Sequence, residues 1–130
     1  MLTKSTVEAN IPAHDLARAR AFYEDTLGFT PSDEGVPGSV HYVAGPGTAF
    51  NVYETEFAGR AGHTIAQFHV DDLVAEVDEL KRKGVGFEVY DLPGLEWDGE
   101  VATMPGMGKA AWFKDSEGNI LCLDQDERGR

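Results

Sequence analysis

The feature that most constrains this chain is a repeat of element order within 130 residues. Thr6-Val-Glu-Ala-Asn-Ile11 alternates like a half-buried strand, and Asp15-Leu16 then opens a stripe of Leu16, Ala19, Phe22, Tyr23 and Leu27 at helical spacing. Thr64-Ile-Ala-Gln-Phe-His-Val70 repeats the strand. Asp72-Leu73 opens a second stripe, with Val77 and Leu80, 57 positions after the first (72 − 15). Each helix has an aspartate placed to cap it and a glycine, Gly28 or Gly84, to end it.

Each half continues as strands. Ser39–Val43 and Thr48–Tyr53 flank a Gly45-Pro46-Gly47 turn, and Lys109 to Asp124 forms a hairpin around Asp115-Ser-Glu-Gly-Asn119. Gly47 and Gly118 correspond at an offset of 71 (118 − 47). Gly86–Tyr90 is expected as a further strand and Asp91–Gly108 as a long irregular segment. Pro12 and Ala13 should break the first strand, and Gln125–Arg130 should fray. The expected fold is therefore α+β: a single domain over residues 1–130, built of two βαβββ modules, one about 5–57 and the other about 63–124. Each sheet packs one face on its helix and turns the other to a shared cleft, completed in a dimer.

Amphipathicity assigns the faces. Val7, Ala9 and Ile11 should lie under the first helix, leaving Glu8 and Asn10 to the cleft. The same test sends Ile65, Gln67 and His69 to the cleft and Ala66, Phe68 and Val70 to the core. Asn51, Tyr53 and Cys122 face the cleft from the hairpins, and the repeat pairs His41 with Trp112. Trp97, Met104 and Met107 lie in the segment expected to form its rim. Aromatic planes with sparse polar groups are the usual make-up of a small-ligand pocket.

The formal charge of −12 disfavours nucleic acid and anionic membranes, and no stretch approaches the length of a membrane span. One cysteine forms no internal disulfide, so a cytoplasmic location is expected. His14 and His63 are expected on exposed loops. No phosphate-binding glycine loop or Gly-x-Ser-x-Gly nucleophile frame is present.

Phe22-Tyr23 through Leu27-Gly28-Phe29, the paired Asp-Leu helix starts, and Asp115-Ser-Glu-Gly-Asn119 before an apolar strand resemble the vicinal oxygen chelate superfamily. It includes glyoxalase I, extradiol dioxygenases, fosfomycin-modifying enzymes and bleomycin-resistance proteins. The resemblance implies a U-shaped cleft, commonly within a homodimer. It also equates Glu8, Asn51, Ile65 and Cys122 with the ligand positions of metal-dependent members. Isoleucine has no lone pair and asparagine offers only a neutral oxygen, so no metal and no cofactor is expected. The implied function is metal-free sequestration of an aromatic or extended compound, of the antibiotic-resistance type. Four alternatives stand beside it: a metal-dependent lyase, isomerase or dioxygenase; a metal-free enzyme using Glu8 or His69 as acid or base; a displaced metal site of His41, His69 and Glu8; and a small accessory or regulatory domain.

Overall fold

The computed structural model describes residues 1–128. After a 3-10 turn at Leu2–Lys4, module one contributes β1 (Ala9–Ala13), α1 (Leu16–Ala21), β2 (Ser39–Val43) and β3 (Ala49–Glu54). Module two contributes β4 (Thr64–His69), α2 (Leu73–Arg82), β5 (Phe87–Glu88), β6 (Glu96–Asp98), β7 (Val101–Met104), β8 (Gly108–Lys114) and β9 (Ile120–Asp126). The first sheet has the order β1-β3-β2. The second runs β4-β9-β8-β7-β6, with β5 also pairing β8. In both modules the strand before the helix lies parallel to the module's last strand, β1 on β3 and β4 on β9.

Both helices start where aspartate was expected to start them. The Asp15 carboxylate accepts from the Arg18 N–H at 3.0 Å and that of Asp72 from the Ala75 N–H at 3.2 Å, satisfying donors that the first turn leaves unpaired. Beyond Ala21 the first helix widens into a π-turn at Phe22–Thr26, where the Leu27 N–H reaches the Phe22 carbonyl. Within it the Tyr23 ring is fully buried.

Several boundaries differ from expectation. Pro12 and Ala13 lie inside β1, because β1 is an edge strand and pairs only with β3, so the missing proline N–H leaves no ladder bond unmade. Val7 falls before the strand and is exposed. Module one has three strands where four were expected. The Gly/Pro-rich stretch from Pro31 to Gly38 supports only an isolated bridge, Pro31 to Tyr42. The strand expected over Gly86–Tyr90 shrinks to Phe87–Glu88. The segment expected to be irregular contains the β6–β7 hairpin, turned at Gly99-Glu100. β9 continues through Gln125 and Asp126, which therefore do not fray, while Gly129 and Arg130 lie outside the described residues.

One core joins the modules. Ile11, Tyr42, Phe50 and Val52 from the first and Leu73, Phe113, Leu121 and Leu123 from the second belong to one buried cluster. Phe29 and Phe68 meet across the seam with ring centroids 5.7 Å apart. The Asp115–Asn119 turn fastens the modules from the side. Asp115 accepts from the Tyr23 hydroxyl at 2.7 Å, the Asn119 amide donates to the Pro12 carbonyl at 2.8 Å, and Glu117 binds Arg18 and the Asp15 N–H. Asp115, Glu117 and Asn119 are buried in the turn and each is paired, as buried polar groups must be.

Candidate functional site

The broad face of the second sheet that lies away from the core carries a cavity of about 470 Å³. Trp112 on β8 and Cys122 on β9 are directly paired across the ladder, and Gln67 on β4 pairs with Cys122 in turn. Three adjacent strands thus present Trp112, Cys122 and Gln67 in one row, as the period-two alternation requires. Met104 and Met107 stand at the edge, exposed. Tyr90 and Trp97 do not line the space. They flank Trp112 instead, Tyr90 edge-on at 6.0 Å and Trp97 tilted at 5.9 Å, and so hold the indole in place. The Trp112 N–H donates to the Thr64 hydroxyl at 3.2 Å.

The chemistry around this floor is uneven. Burial, reinforced by the charge of Asp124, pushes the Cys122 thiol up to about 12, which keeps it protonated and poorly nucleophilic. At the rim, His69 Nδ1 lies 2.9 Å from the Asp124 carboxylate, and Arg128 pairs with Asp126. Asp124, Asp126 and Arg128 were not singled out from the sequence. Asp124 and Asp126 continue the Cys122 phase, a signal hidden by treating the strand as ending before Gln125.

Glu8, Asn10, His41 and Asn51 gather elsewhere, around a hollow of about 360 Å³ on module one. His41 is buried, with its Nδ1 2.6 Å from the Ser32 hydroxyl and its Nε2 3.3 Å from Glu8; the Asn51 amide donates to the same Glu8 oxygen at 3.2 Å. Tyr53 follows Asn51 in phase on β3 and is exposed. The two hollows have no lining residue in common, so the expected site residues fall into two sets. His41 and His69 belong to different sets and form no joint cluster. His14 and His63 are exposed.

Ile65 is in neither set. The β4–β9 register shifts between Thr64 and Ala66, leaving Ile65 in a bulge, and its side chain packs against the core. The extra residue changes the phase of the strand, so Thr64 takes the place on the cavity wall that alternation had assigned to Ile65. The four positions equated with metal ligands therefore do not fit an ion. Ile65 is turned away, Cys122 lines one hollow while Glu8 and Asn51 line the other, and Glu8 is engaged by His41 and Asn51. Among the described residues, no group of three or more His, Cys, Asp or Glu is arranged to hold a metal.

Residues 6–123 match the family model of the Glyoxalase/Bleomycin resistance protein/Dioxygenase superfamily. Among solved structures, the chain is similar to TnmS3, an antibiotic binding protein from Streptomyces sp. CB03234, at 21% identity over 98% of this chain and 99% of that one, with a TM-score of 0.72. It is also similar to lactoylglutathione lyase from Agrobacterium tumefaciens, at 18% identity over 96% of each chain and a TM-score of 0.69. The fosfomycin resistance protein FosX from Listeria monocytogenes, complexed with Mn(II) and sulfate, gives 12% identity over 95% of this chain and 90% of that one, with a TM-score of 0.69. Comparison with curated proteins found no match. At these identities the structural likeness shows the fold alone.

Proposed function

The chain belongs to the glyoxalase/bleomycin resistance protein/dioxygenase superfamily, and on that footing we propose that it binds a planar aromatic or extended small molecule and sequesters it without turnover. The observation that carries this reading is the Trp112 cavity, whose indole is buttressed by Tyr90 and Trp97 and lies beside Cys122 and Ala110, with the polar groups His69, Asp124, Asp126 and Arg128 gathered on one side of the wall. Gln67 supplies directional hydrogen bonding, and Met104 and Met107 supply adaptable contacts at the edge. TnmS3, which has the same fold, is described as an antibiotic binding protein, and an antibiotic or natural product is the compound class proposed here.

We propose further that the protein is a cytoplasmic homodimer in which the Glu8–His41–Asn51 hollow of one subunit covers the Trp112 cavity of the other. Two open hollows on separate modules support this, as does the unpaired state of Cys122 for the compartment.

The test is a titration of tryptophan emission with planar aromatic antibiotics, followed by mass spectrometry of the recovered compound. Saturable quenching with the compound recovered unchanged supports sequestration, and Trp112→Ala should weaken binding about tenfold or more. A second reading has its own observation. The His69–Asp124 pair is an imidazole held by a carboxylate at the cavity rim, the arrangement of a general base. A chemically altered compound, with conversion lost in His69→Gln, would establish that reading instead.

A further inference from the structure

Beside the Trp112 cavity lies a second space of about 410 Å³ between the modules. Gln67 and His69 line both, so the two spaces meet along β4. Small residues keep the second one open: Ala9, Ala44, Gly45, Ala49 and Ala66 contribute little or no side-chain volume. Its aromatic wall is Phe50 and Phe68, whose rings meet edge to face at 5.9 Å. Among the described residues, His69 is its one ionisable lining residue. At the junction the Gln67 amide has no hydrogen-bond partner among the described residues, and His69 is held by Asp124 at 2.9 Å.

From this geometry we propose that the ligand is a two-part compound: a planar aromatic head against Trp112, a hydrogen-bonding joint at Gln67 and His69, and an apolar arm lying between the modules against Phe50 and Phe68. The proposal rests on the binding reading above and names the class of compound it takes. An uncharged alkyl or aryl arm fits because the walls offer it apolar surface and would leave an ionic group without a partner. Each arm methylene fully removed from water strengthens binding about fourfold, so a partly buried arm of several carbons gains well over tenfold.

The experiment compares 9-aminoacridine with 9-(hexylamino)acridine, which differ only in the arm, by quenching of tryptophan emission. The expected result is at least tenfold tighter binding of the hexyl compound. Ala49→Trp, which fills the second space, should bring the ratio of the two affinities close to one. Thr48→Phe, in the exposed turn beside it, should lower the same ratio and serves where the larger substitution disturbs folding. Equal affinities in the unmodified protein, or a ratio that survives both substitutions, overturns the arm. Failure of both compounds to quench overturns the underlying reading of the Trp112 cavity.

Discussion

Glu117 joins two parts of the chain that are 99 residues apart. Its buried carboxylate accepts from the Arg18 guanidinium at 2.7 and 2.9 Å, from the Asp15 N–H at 2.9 Å and from the Ser116 hydroxyl at 2.8 Å. Hydrogen bonding to Arg18, opposed by burial, holds its pKa down to about 2 from an ordinary value of 4.5. Because the folded value lies below the unfolded one, the stability it contributes is complete above about pH 4.5 and is lost as the pH falls toward 2. Glu117→Gln should lower stability in urea by roughly 1–3 kcal/mol at pH 7, discounted for the exposed Arg18 partner. The substitution should also flatten the fall in stability between pH 4.5 and 2. An unchanged acid profile would show that the turn does not depend on this charge. The importance of the Asp115–Asn119 turn was legible as turn chemistry. Its attachment to Arg18, Tyr23 and Pro12 was not, because contacts over such separations leave no local pattern in a sequence.

Among the elements, those with short-range rules were the legible ones. Aspartate caps announced both helices, and the two hairpins at Gly45-Pro46-Gly47 and Asp115–Asn119 formed as their turn residues required. The Gly99-Glu100 turn of the β6–β7 hairpin was also written in the chain, as a glycine at the first turn position, but the prolines around it concealed the signal. The bulge at Ile65 had no such signal. A one-residue change of phase sends a side chain to the opposite face, and no residue type marks where it occurs. This is why a cavity wall assigned to Ile65 belongs to Thr64. The connector between the modules is more sharply specified than its composition implied. Gly59 has φ +72°, and a Cβ there would lie 2.6 Å from the Glu117 carbonyl oxygen. Gly59→Ala should therefore cost roughly 2–4 kcal/mol by combining backbone strain with displacement of the turn. Thermal unfolding would measure it, and a shift in melting temperature of under a degree would show that the connector moves freely away from the turn.

At the scale of the whole molecule, the separation of the two hollows decides what a complete site requires. Each sheet packs one face on the common core and leaves the other without cover, so neither the Glu8–His41–Asn51 hollow nor the Trp112 cavity is closed by its own module. The dimer proposed above, with module one of each subunit over module two of the other, would cover both at once, and twofold symmetry would make the two contacts identical. That arrangement has a signature that a site confined to one chain cannot produce. Trp112→Ala removes the floor in module two, and His41→Ala removes the polar centre of the hollow in module one. Each variant alone should bind an aromatic ligand weakly. Unfolding and refolding the two together in equal amounts should restore full-strength binding at about a quarter of all sites, because half of the dimers are mixed and each mixed dimer holds one intact site. Isothermal titration of the refolded mixture reads that fraction directly as a stoichiometry. No recovery on mixing, together with a monomeric mass by light scattering, would place the whole binding site within a single chain.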